Sequence, residues 1–252
     1  MTMARFPLLL LLLAMVTAAC APASRDRIPV PVPPSRTETT PEYRPGARLD
    51  ARTAAHNFIV VVDRMEPVVE AECRRQQPRR DCDFLIAVDD RPGQPANAFQ
   101  TLDAEGRPVL AFTLSLIADA RNQDEIAFIM GHEAGHHILG HLPRAQQQAA
   151  AGAMILGTLA TLSGADAESI KQAEGMGASM GARTYSKNYE LQADELGTIL
   201  AYRAGFDPAR GAEFFRRIPD PGDRFLGSHP PNSERQRVVF NTLRQLQTGR
   251  IR

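Results

Sequence analysis

Apolar and polar residues along this chain change period several times, and each change predicts an element. From Ala54 to Glu72 the apolar positions recur at helical spacing through Phe58, Val61, Val62, Met65 and Val69, with Pro67 as a kink or boundary. Phe84-Leu85-Ile86-Ala87-Val88 is a short apolar run between Asp83 and Asp89, the pattern of a strand. Asn97 to Leu102 and Pro108 to Leu114 flank Asp103-Ala104-Glu105-Gly106, which predicts a hairpin whose turn carries its glycine. Asn122, with Glu125 three residues on, predicts the start of a helix that runs to about Gly140 and is stopped by Pro143. Ser186 can cap another helix over Lys187 to Ala204, ended by Gly205 with Pro208 just beyond. Asp207 to Ile218 reads as a helical segment, and a terminal helix extends to about Gln247. These elements predict an α+β fold, mainly helical, with a small β-sheet beside the helix that starts at Asn122.

Two stretches depart from this pattern. Residues 146–183 are rich in alanine and glycine, and 149–164 carry no charge. That run is shorter than a membrane span and is broken by Gly152 and Gly157, so it reads as a close-packed helix or as a plug over the site. Gly175 to Gly181 has the wrong spacing for a phosphate loop. At the N-terminus, Arg5 precedes the apolar run Phe6 to Val16 and then Thr17-Ala18-Ala19-Cys20. This is a secretory signal, too short to span a membrane. The cysteine after small residues resembles a bacterial lipobox, although Thr17 stands where leucine is usual; an ordinary signal peptide is the alternative. The resemblance implies acylation of Cys20, and Ala21 after it favours the outer membrane. The chain thus divides into a signal at 1–19, a tether at 20–48 with Pro29, Pro31, Pro33, Pro34, Pro41 and Pro45, and a domain at 49–252.

Composition adds two constraints. With 252 residues, 43% of them hydrophobic, the chain can fill one core or at most two small ones. Its formal charge of +0 supplies no electrostatic reason to expect nucleic acid as a partner. With Cys20 acylated, Cys73 and Cys82 remain in an exported protein, nine positions apart across a short polar loop. They are expected to form one disulfide; two free thiols are the alternative.

The candidate chemistry lies in Gly131-His132-Glu133-Ala134-Gly135-His136-His137. Histidines four apart share one face of a helix and can hold one metal ion. The glutamate between them can reach a water bound to that ion and act as general base. A catalytic zinc takes three protein ligands and leaves one place open. A third histidine at metzincin spacing would fall at Leu142, and His141 lies beyond the helix stop, so it reads as a surface residue, as does His56. His137 turns away from the His132/His136 face and reads as a packing or surface residue. Glu190 is the better third ligand, because Asp194 follows one turn later and can accept a ring N–H from a ligand histidine. Glu174 and Glu195 are rival carboxylates without such a partner. Ala193 and Gly197 would let this second helix approach the first closely.

With these residues the chain resembles the M48 family of zinc metallopeptidases, in its small exported lipoprotein branch. The match lies in His132 to His136, in Tyr189-Glu190-Leu191-Gln192-Ala193-Asp194, in His229-Pro230 and in Asn97-Ala98-Phe99, and covers about Asn57 to Val239. The resemblance implies one Zn2+ on His132, His136 and Glu190, with Glu133 as base. It further implies that His229 stabilises the oxyanion or occupies the open metal position, and that Arg235 orients the site. Gln236 departs from the family, where an aliphatic residue is common. The expected activity is a zinc-dependent endopeptidase acting on unfolded or misassembled envelope proteins, with the segment at Pro108 to Leu114 binding substrate as an added strand. The competing reading is a non-proteolytic chaperone or assembly factor built on a zinc scaffold.

Overall fold

The structure is a computed structural model of the chain, and it describes residues 48–184, 186–220 and 230–251. The signal at 1–19, Cys20, most of the expected tether and His229 lie outside the described residues.

Helix α1 spans Ala51–Gln76 and opens on Asp50, whose side chain accepts from the Thr53 amide. Its buried residues Ala54, Phe58, Val61, Met65, Val69 and Glu72 are spaced three or four apart along one stripe, with Cys73 beside the last of them. Pro67 lies inside the helix and is no boundary. It sits on the exposed side with Asp63 and Arg64, where the carbonyl it leaves without an N–H partner can be hydrated. Past α1 a disulfide joins Cys73 to Cys82, with Cα atoms 5.7 Å apart.

Three strands follow, β1 (Leu85–Asp89), β2 (Ala98–Leu102) and β3 (Pro108–Thr113), in the sheet order β1-β3-β2. Strand β3 runs parallel to β1 and antiparallel to β2, and all six of its residues are buried. The β2–β3 hairpin forms as its pattern predicts, with Gly106 at φ 92° in the turn. Because β3 is paired on both sides, it has no edge for a substrate strand. The sheet edge next to the cleft belongs to β2, which corrects the expectation placed on Pro108 to Leu114.

Thr113 caps the short α2 (Leu114–Asp119), and Asn122 caps α3 (Gln123–Ile138), the helix carrying the His-Glu motif. Helix α3 ends at Ile138, and two residues on Gly140 adopts φ 70° and turns the chain into α4 (His141–Leu162). Pro143 therefore does not stop α3. It lies in the first turn of α4, where a missing N–H breaks no helical bond. Helix α4 pairs with α5 (Ala167–Thr184) so closely that a Cβ on Gly152 would fall 2.1 Å from the Gly177 carbonyl oxygen. The uncharged 149–164 run is thus a close-packed helix, and the part of α4 that borders the cleft is His141, Leu142 and Ala145. Among the described residues no helix is long and apolar enough to cross a membrane.

Helix α6 (Ser186–Arg203) begins at Ser186, whose hydroxyl donates to the Arg183 carbonyl. Gly205 ends it at φ 79°. Then come α7 (Pro208–Gly211), a 3-10 turn at Ala212–Arg216, and α8 (Asn232–Gln247). The main core joins α1, the sheet, α3 and α6 through Met65, Phe84, Leu110, Met130, Ile138 and Leu200. Each side chain so buried contributes roughly 1.5–3 kcal/mol. A smaller cluster of Phe128, Phe215 and Val239 holds α8 and the 3-10 turn against α3, and brings Arg235 to the site.

Candidate metal centre

Two helices build the centre, and small residues set their distance. A Cβ on Gly131 of α3 would lie 2.9 Å from the Gly197 carbonyl oxygen of α6, and one on Gly135 3.3 Å from Ala193 Cα. The close approach expected from Ala193 and Gly197 is therefore present. It sets His132 and His136, one turn apart on α3, opposite Glu190 and Asp194, one turn apart on α6.

The three candidate ligands converge. His132 Nε2 and His136 Nε2 are 3.1 Å apart, His132 Nε2 lies 3.5 Å from a Glu190 oxygen, and His136 Nε2 lies 3.4 Å from the other. Zinc held tetrahedrally at about 2.0–2.2 Å puts neighbouring donors about 3.3–3.6 Å apart. The donor set and its spacing therefore fit a single zinc ion, and His132, His136 and Glu190 could hold it.

Around them stands a second layer of contacts. His132 Nδ1 meets Asp194 Oδ1 at 2.8 Å. Arg235 grips Asp194 with two bonds, Nη2 to Oδ1 at 2.7 Å and Nε to Oδ2 at 2.8 Å, and its Nη2 lies 3.6 Å from Glu190. The guanidinium also stacks on Phe215, 4.1 Å above the ring centre. Burial alone would raise the Asp194 pKa, but Arg235 and His132 hold it below the usual carboxylate value. For His132, burial and Arg235 oppose the charged form, yet hydrogen bonds to Asp194 and Glu190 push its pKa up to about 10. The centre thus favours positive charge at this point, which a divalent cation would supply. Burial pushes the Glu133 carboxyl up, against the pull of His132 and His136.

The cleft above these residues has a volume of about 460 Å³ and is bordered by Asn97, by Ala98 to Gln100 of β2, and by Glu133, Leu142 and Phe214. His56 is exposed, as expected. His137 is a packing residue: it is buried, its Nε2 donates to the Asp81 carbonyl at 3.0 Å, and its ring stands edge-on to Phe84.

His141 departs from the sequence expectation. It is not on the surface but buried, with its Nδ1 3.0 Å from His136 Nδ1 and its ring stacked on Tyr189 at 4.5 Å. Helical spacing alone hides it, because Gly140 turns the chain back at a left-handed residue. The glycine directly before His141 was the available signal.

A histidine pair and a glutamate on adjacent helices, beside a small sheet with an edge strand along the cleft, define a zincin-type fold. The family model of Peptidase family M48 matches residues 63–242, well over half the chain. The chain belongs to peptidase family M48, a metallopeptidase family whose members use zinc. Two curated relatives are similar to it. A Vibrio cholerae protein, provisionally named a beta-barrel assembly-enhancing protease, is 29% identical over 132 residues, covering 48% of this chain and 26% of its own length. The beta-barrel assembly-enhancing protease of Yersinia pestis is 30% identical over 117 residues, covering 44% of this chain and 24% of its own. The matched stretch thus spans about a quarter of each relative.

Proposed function

We propose that the protein is a zinc-dependent endopeptidase of the bacterial envelope, acting on unfolded or misassembled proteins there. The observation that carries this reading is the convergence of His132, His136 and Glu190 at tetrahedral donor spacing, with Glu133 beside them on the cleft wall. Zinc in that position supplies a Lewis acid for the peptide carbonyl and makes water nucleophilic near neutral pH.

The chain's own residues do the rest. An extended substrate pairs with the free edge of β2 and is held across the cleft. Glu133 takes the proton of the attacking water and passes it to the leaving amine. Asp194, fixed by Arg235, holds His132 in the tautomer that offers Nε2 to the metal and raises its basicity. His229 is assigned to stabilise the oxyanion formed at the carbonyl. Acylated Cys20 and the tether would hold the domain at the periplasmic face of the outer membrane, and the relatives' names, which join a protease to β-barrel assembly, support an envelope role.

The test is metal content together with cleavage. Purified wild type is expected to hold one zinc per chain and to cleave an unfolded outer-membrane protein, while Glu190→Gln loses both. A Glu190→Gln variant that keeps zinc stoichiometrically would overturn the ligand set. Zinc binding without cleavage of any unfolded envelope protein would favour the scaffold reading instead.

A further inference from the structure

We propose that His141 is a positioning residue for His136: its ring accepts the His136 Nδ1–H and so fixes the tautomer and plane in which His136 offers Nε2 to the metal. The inference rests on His136 being a metal ligand, as proposed above.

Two Nδ1 atoms 3.0 Å apart can share only one proton, so one ring donates and the other accepts. The Nε2 of His136 faces the centre, 3.1 Å from His132 Nε2 and 3.4 Å from a Glu190 oxygen. A metal there takes the Nε2 lone pair, which leaves neutral His136 with its proton on Nδ1. His141 Nδ1 must then be bare, and its own proton sits on Nε2. That nitrogen faces an acceptor, the Gln192 side-chain oxygen at 3.3 Å. The protons therefore run in one consistent direction, from His136 to His141 to Gln192.

The acceptor is also held in place. His141 is buried and stacks on Tyr189 with the planes 17° apart, and Tyr189 OH accepts from Gln148 Nε2 at 2.7 Å. Each ligand histidine thus has its own outer partner. For His132 it is the Asp194 carboxylate on α6, and for His136 it is the neutral imidazole that begins α4.

The test measures zinc affinity of the full chain by chelator competition, for wild type, His141→Phe, His141→Gln and His136→Ala. Phenylalanine keeps a ring against Tyr189 but accepts no hydrogen bond; glutamine restores an acceptor oxygen. Loss of such a partner typically weakens metal binding about 10–100-fold, and that is expected for His141→Phe, with recovery in His141→Gln and a greater loss in His136→Ala. Wild-type affinity in His141→Phe beside an impaired His136→Ala overturns the proposal alone. Unchanged affinity in both overturns the assignment of His136 as ligand and the proposal with it. A glutamine variant no better than phenylalanine assigns the loss to packing and also overturns it. Nitrogen-15 NMR of the zinc-loaded wild type is independent of how any variant folds. It should show neutral His141 with its proton on Nε2, and a proton on His141 Nδ1 contradicts the proposal.

Discussion

Gly197→Ala perturbs the centre without touching any group that carries its chemistry. The added Cβ would lie 2.7 Å from the His132 amide nitrogen and 3.1 Å from His132 Cα, where ordinary contact begins at 3.4 Å. Both neighbours are backbone, so no side chain can swing away. Helices α3 and α6 must separate by about 0.7 Å, and Glu190 and Asp194 move with α6 away from His132 and His136. Overpacking of this kind costs roughly 1–3 kcal/mol, offset by up to about 1 kcal/mol because alanine is the better helix former. Net stability should therefore fall by no more than about 3 kcal/mol. Zinc affinity should fall further, since the donors are pulled off tetrahedral spacing. Gly175→Ala is the control: it lies exposed within α5 with nothing within 4 Å of the new Cβ, and should gain about 0.5–1 kcal/mol. Thermal melts with and without chelator, plus zinc competition, read both effects. A Gly197→Ala protein with wild-type zinc affinity would refute the claim that backbone contact between α3 and α6 sets the donor spacing.

Further outcomes follow from single contacts. Asp194→Asn leaves the buried Arg235 only the Glu190 carboxylate, 3.6 Å from its Nη2, as a counter-charge, and equilibrium unfolding should show a loss of up to about 3–5 kcal/mol, with zinc affinity falling at least tenfold. Replacing Cys73 and Cys82 by alanine reopens a short loop, at a cost of roughly 2–3 kcal/mol in denaturant titrations. Because Arg80 and the Asp81 carbonyl in that loop bind His137 near the end of α3, the loosening should reach the motif helix, as hydrogen exchange would report. The Glu72 carboxyl is held down at about 2 by hydrogen bonds from Arg75 and Gln76 and by the charge of Arg203 on α6. Its contribution is present above the ordinary value of 4.5 and is lost as pH falls toward 2. With the exposure of Arg75 screening the pair, it amounts to about 1 kcal/mol. Glu72→Gln should flatten the stability profile across that window and lower it by about 1 kcal/mol above pH 5.

What was legible in the sequence followed local rules. The spacing His132/His136 and Glu190/Asp194 encodes two helix faces, and Gly197 encodes their closeness, so the candidate ligands could be named before any fold was seen. The β2–β3 hairpin was readable from Gly106 and its flanking apolar runs. Three features were not legible because they depend on long-range placement. Which strand keeps a free edge is set by β1 pairing with β3 from the far side, and no pattern within Pro108 to Leu114 announces it. Pro143 looked like a terminator because proline is costly inside a helix, yet the left-handed Gly140 had already turned the chain, and the first turn of α4 tolerates it. The same turn carries His141 from a presumed surface position to within hydrogen-bonding distance of His136.

In the proposed function, a metal on these helices and Glu133 together cleave peptide bonds. The most direct measurement compares wild type with Glu133→Gln in one preparation, by zinc content and by cleavage of an unfolded outer-membrane protein. Both proteins should hold one zinc per chain, and the wild type alone should cleave, with cleavage lost on adding chelator and restored by zinc. Robust cleavage by Glu133→Gln would contradict the account.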